Sequence, residues 1–143
     1  MAADGVGGPA DGVGGPADGS AYQPGTCNIG PAEVARRQRA GHVGLAATVV
    51  LFAGLVAVKA PPVARFVVAL PAAAAASGYL QARFRFCVGF ASRGVYNFGA
   101  VGPTFGVEDE AARAADRTTG IRLGLASAAI GGAVGIGAVL AAR

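Results

Sequence analysis

The sequence predicts an all-α membrane protein: a helical hairpin plus a third, glycine-rich transmembrane helix, behind a disordered N-terminal head. Three observations predict it. Apolar residues make up 53% of the chain and charged ones only 14%, against roughly 25% charged in ordinary soluble domains. The charges are clustered, leaving three long tracts almost free of them. Arginines gather at the ends of these tracts, which is where topology determinants of a bilayer protein stand.

The head is residues 1–26. Residues 3–9 read ADGVGGP, residues 10–16 repeat them, and Ala17-Asp18-Gly19 begins a third copy. The period matches a coiled-coil heptad, but each unit carries glycines, a proline and a single valine. Glycine and proline oppose helix, and one valine per repeat builds no seam, so a flexible tether is expected. The first 25 residues have neither a basic n-region nor an apolar core, so no signal peptide is expected, and nothing hydrophobic precedes Cys27 to make a lipoprotein anchor.

Residues 27–98 are expected to hold a juxtamembrane helix and a two-span hairpin. Helix should start at Pro31, with Gly30 as cap and Glu33 in the positive first turn. Nothing from Pro31 to Val58 breaks it, and the span proper is Gly41 to Val58. Lys59-Ala60-Pro61-Pro62 is a tight break, short enough to force an antiparallel return. The second tract runs from Val63 to Leu80, and Pro71 inside it is expected to kink the helix or free a carbonyl. Ala72 to Ala76, Ser77 and Gly78 give a slim face for close approach. Beyond it, aromatics alternate with arginines from Arg83 to Phe98, a pattern suited to the headgroup region.

Residues 99–118 read as a cytoplasmic loop with a short polar helix, opened by Glu108-Asp109-Glu110 and supported by an Asp109–Arg113 pair. Residues 119–143 hold the third span, Ile121 to Ala142. In it Gly124, Ala128 and Gly132 form one row four apart, and Ser127, Gly131 and Gly135 form another. These are the small-xxx-small spacings of closely packed membrane helices.

Charge sets the orientation. Arg36, Arg37 and Arg39, with His42 beside them, precede the first span, and Arg83, Arg85, Arg93, Arg113, Arg117 and Arg122 separate the second from the third. Lys59 and Arg65 flank the hairpin turn, and Arg143 ends the chain. The positive-inside rule then puts this protein in the cell membrane with its N-terminus cytoplasmic and its C-terminus outside. Arg36, Arg37, Arg39, Arg83, Arg85 and Arg93 are the expected headgroup contacts.

No catalytic residue, metal ligand or cofactor site is expected. No acid or base lies in the middle of a span, one histidine and two distant cysteines are too few donors for a metal, and Ser92 and Ser127 have no partner base. The glycine repeats lack the lysine and the strand-to-helix setting of a phosphate loop. The net charge of +4 lies beside apolar tracts with no basic, aromatic-studded stripe, so nucleic acid is not an expected partner. The partners expected are the lipid bilayer and a second copy or a larger membrane complex. The first functional expectation is a non-enzymatic helix-packing or complex-accessory protein. The alternative is a membrane-anchored thiol or sulfur-relay module using Cys27 and Cys87, since Cys87 has arginines around it and Cys27 stands just before a helix start, the settings in which reactive thiols occur. A channel or transporter is disfavoured, because no polar residue lines a midplane path.

The stretch Cys27-Asn28-Ile29-Gly30-Pro31-Ala32-Glu33-Val34-Ala35-Arg36-Arg37 resembles the opening of the small YgaP-like bacterial inner-membrane domains. There an Asn-Val/Ile-Gly triplet, an acid and an arginine lead into a two-helix hairpin, and a cysteine follows the second helix, the place of Cys87. The resemblance covers residues 28–87 and implies a hairpin of two spans. Some members are fused to a rhodanese-type sulfurtransferase; that domain is missing here, so the resemblance implies no such activity. The family's Cys-Pro is Cys87-Val88 in this chain, and the third span is an addition. The alanine- and valine-rich, lysine-poor composition resembles that of proteins from high-GC bacteria.

Overall fold

The computed structural model describes residues 21–141; the repeats of residues 3–16, and the tether expected of them, lie outside the described residues. The chain forms α1 (Pro31–Ala57), a 3-10 segment (Pro62–Val68), α2 (Ala69–Phe84), α3 (Val88–Arg93), β1 (Val95–Tyr96), β2 (Phe105–Gly106) and α4 (Glu110–Leu140). The two strands are antiparallel, with Val95 opposite Gly106 and Tyr96 opposite Phe105.

α1 begins behind Gly30, with Pro31 in its first turn where a missing N–H costs nothing. Its 27 residues make it about 40 Å long. The second tract differs from expectation. Pro71 does not kink a long helix; the tract divides instead into the 3-10 segment and α2, so that Pro71 falls in α2's first turn. A 3-10 start absorbs the proline because its ring then meets no helical carbonyl one turn before it. α2 ends on Arg85, a non-glycine residue in the left-handed region at φ 51°. The polar turn after Asp109 and the third apolar tract are one unbroken helix, α4. Thr118 and Thr119 do not interrupt it, because Thr118 turns its hydroxyl back onto the Ala114 carbonyl. Asp109 caps α4 by accepting from the Ala112 N–H, while Arg113 donates to the Val107 carbonyl. The expected Asp109–Arg113 pair is thereby replaced by a cap and a loop contact.

α2 is the middle helix, packed on α1 along one side and α4 along the other, while α1 and α4 make little or no contact with each other. Small residues set both crossings. A Cβ on Gly78 would stand 2.5 Å from the Gly41 nitrogen, and one on Gly44 would stand 2.7 Å from the Ala75 nitrogen. On the other side Gly131 lies against Ala69 and Ala73, and Gly135 against Ala69 and Phe66. Both crossings are antiparallel, so the starts of α1 and α4 and the end of α2 share one end of the bundle.

The outer faces are apolar. Val43, Val50, Leu70 and Leu125 are each about 70% exposed, and only 11% of α1's most apolar stretch is buried. Three helices, Pro31–Ala57, Pro62–Phe84 (the 3-10 segment plus α2) and Glu110–Leu140, are long and apolar enough to cross a membrane. A water-soluble fold cannot leave so much contiguous apolar surface uncovered. The largest fully buried side chains lie elsewhere. Phe86, Phe98, Ile29, Glu33, Asn28, Asn97 and Asp116 all belong to a cap at the shared end of the bundle, and Val68 is the exception.

Candidate functional site

The cap is built around Asn28. Its side chain accepts from the Cys87 N–H at 2.6 Å and donates to the Cys87 carbonyl at 3.1 Å. The backbone N–H groups of Asn28 and Ile29 both donate to the Arg85 carbonyl, which the left-handed conformation of Arg85 presents to them. Gly30 donates to the Asn97 carbonyl, and Asn97 donates to the Asn28 carbonyl. Gly30 has to be glycine: a Cβ there would meet the Phe98 backbone at 2.7 Å and 2.8 Å. Residues 28–30 therefore lie between the end of α2 and the chain after α3, with every contact directional. Asn97 in turn accepts from the Gly99 N–H and donates to the Ala100 carbonyl, closing the loop that follows.

Beside Asn28 lies a charged group. Glu33 is 1% exposed, and its Oε2 stands 3.6 Å from both the Arg36 and the Arg37 guanidinium. Arg37 also donates to the Cys87 sulfur at 2.7 Å and lies over the Phe90 ring, which Arg93 covers as well. Ile29, Cys87 and Phe90 form the apolar floor. Arg37 is thus a structural bolt from the first helix to α3, with its aliphatic stem in apolar surroundings and its charge met by Glu33.

A second clasp fixes the segment before Cys27. Asp116 is fully buried and accepts from the Tyr22 hydroxyl at 2.8 Å and from the Gly25 N–H at 2.6 Å. Thr119 donates to the Gly25 carbonyl. Burial, and then the hydrogen bond to the Asp116 carboxylate, raise the Tyr22 phenol well above its ordinary value. Tyr22 stacks on Tyr96, which stacks on Phe105 and tilts against Phe98. Residues 21–26, expected as part of the head, are a folded strap on α4.

The expected site residues divide. Cys27 and Cys87 are both in the cap, both free thiols and both buried; Cys27 points its sulfur at the Ile29 carbonyl. Arg37 turns inward onto Phe90, the exposed Arg93 lies over the same ring and donates to the Gly89 carbonyl, Arg36 pairs with Glu33, and the exposed side chains of Arg39, Arg83 and Arg85 make no hydrogen bond or ion pair among the described residues. His42 meets Tyr79, Nδ1 to hydroxyl at 2.7 Å. Ser127, Gly131 and Gly135 are buried inside the bundle. Gly124 and Gly132 have open space where a Cβ would go among the described residues, and Ala128 is exposed. Among the described residues no three His, Cys, Asp or Glu side chains gather as metal ligands.

Sequence reading missed Asp116, Asn97 and Tyr22. An aspartate among alanines on a polar helix turn carries no signal of burial, whereas Asn28-Ile29-Gly30 just before a proline-started helix does hint at a fixed backbone. No family model, no curated protein and no solved structure matches the chain.

Proposed function

We propose that this is a three-span protein of the cell membrane, its cap cytoplasmic and its C-terminus outside, that acts without enzymatic chemistry as a helix-packing accessory subunit. In this reading residues 28–87 are a hairpin of the YgaP-like kind that serves as an anchor. The contact surface is the flank of α4 bearing Ala128 and Gly132, met by a helix of a second copy or of a larger membrane complex. The observation that carries the reading is the division of α4's two small-residue rows. One is used up against α2 and the 3-10 segment, and in the other Gly124 and Gly132 have open space where a Cβ would go. Backbones approach closely at such rows, and in lipid that packing is what drives association.

Ala128→Leu and Gly132→Leu test it. A Cβ at Gly132 meets nothing within 4 Å and Ala128 is exposed, so both variants should fold and should lose the self- or complex association expected of the wild type in mild detergent. Unchanged association refutes the reading. The relay alternative is not favoured, because both thiols are enclosed and Cys87 is engaged by Arg37.

A further inference from the structure

Where α3 meets α4, a cleft of about 330 Å³ opens on the side of the bundle. Its floor is Gly120 and Gly124 and its walls include Val88 and Ala91; the polar side chains that line it are Arg117 and Ser92. Gly120 rests against Ala91, but a Cβ on Gly124 would enter open space, so the cleft exists because this position is glycine. Ser92 gives its hydroxyl proton to the Gly89 carbonyl. Arg117 is exposed and has no hydrogen bond or ion pair among the described residues. One turn earlier Arg113 is bonded to the Val107 carbonyl and has no carboxylate partner among the described residues. Asp116, the acid next in sequence, is spent on Tyr22 and Gly25.

We propose that this cleft binds one anionic phospholipid, its phosphate on Arg117 and an acyl chain along Gly120 and Gly124. The inference rests on the membrane placement given above but not on the association surface. Arg117 lies one turn before Ile121, where the apolar tract of α4 starts, so its guanidinium stands at headgroup depth and Gly124, inside the tract, at acyl depth. An apolar slot below an uncompensated guanidinium fits an amphiphile with an anionic head. A parallel second copy fits worse here, because it would bring another uncompensated Arg117 to the same depth.

The test is native mass spectrometry of the full chain from micelles containing phosphatidylglycerol and phosphatidylcholine in equal amounts. The wild type is expected to keep one phosphatidylglycerol per chain, preferred about five- to tenfold. Arg117→Gln should abolish the preference, and Gly124→Leu should abolish the adduct by filling the cleft. Arg122→Gln, an exposed arginine outside the cleft, and Gly132→Leu, which attacks the association surface, should retain it. Equal retention of the two lipids by the wild type or wild-type binding by Arg117→Gln overturns the proposal. So does displacement of the lipid by glycerol phosphate, which would mark a headgroup site without an acyl slot. If Gly124→Leu fails to give a folded helical protein, Arg117→Gln decides alone.

Discussion

Gly78→Ala adds one methyl group at the crossing of α1 and α2. The new Cβ would stand 2.5 Å from the Gly41 nitrogen, and 2.7 Å from both the Arg37 carbonyl oxygen and the Gly41 Cα. All three are backbone atoms, so no side chain can swing aside. Carbon contacts settle at about 3.5–4.0 Å, so the helices must part by roughly 1 Å, a gap that forfeits a quarter to a half of each dispersion contact across the seam. Overpacking of this kind costs about 1–3 kcal/mol. Gly54→Ala in the same helix pair is the control, since its Cβ meets nothing within 4 Å. There only the gain in helix propensity remains, up to about 1 kcal/mol of stabilisation. Gly78→Ala carries the same propensity gain, so the two variants should differ by the overpacking cost, about 1–3 kcal/mol, or roughly 5- to 160-fold in the folded-to-unfolded ratio. Reversible unfolding in mixed micelles, followed by helical circular dichroism, measures it. Equal midpoints for the two variants would refute the close crossing and, with it, the pairing of the first two helices.

Asn28→Ala leaves the buried Cys87 N–H without an acceptor, at a cost of about 1–3 kcal/mol, and should speed amide exchange at Cys87 while leaving Gly131 unaffected. Tyr22 gives a pH dependence. Its phenol is raised in the folded chain above the ordinary value of about 10. The stabilisation it contributes is therefore full below about pH 10 and is lost as pH rises further. In an absorbance titration Tyr22 should ionise late, and Tyr22→Phe should remove that late phase; a titration unchanged by the substitution contradicts the Asp116 clasp. Cys27 and Cys87, 9% and 2% exposed, should react with a maleimide far more slowly than an unstructured thiol and promptly once unfolded. Fast labelling of Cys87 in the folded chain would restore the relay reading.

Hydropathy and arginine placement were enough to mark the three apolar helices, because a long uncharged tract has few alternatives. Pro31 and Gly30 located the start of α1 for an equally local reason. The cap was not legible in the same way. Its contacts join Asn28 to Cys87, Asn97 to Gly30 and Asp116 to Tyr22, pairs far apart in sequence that no period connects. Pro71 misled because its effect depends on whether the preceding turn is α or 3-10, and here it is 3-10. The two small-residue rows on α4 look equivalent in sequence. Only the position of α2 decides that Gly131 is enclosed and Gly132 is open.

A chain that crosses the bilayer three times, as proposed, has its cap on one side and its hairpin turn on the other. Single cysteines at Lys59 and Thr104, both exposed, test it in whole cells with a membrane-impermeant maleimide, the two buried native thiols serving as a low background. The account predicts that Lys59→Cys labels in intact cells and that Thr104→Cys labels only after permeabilisation. Labelling of both positions from the same side would contradict it.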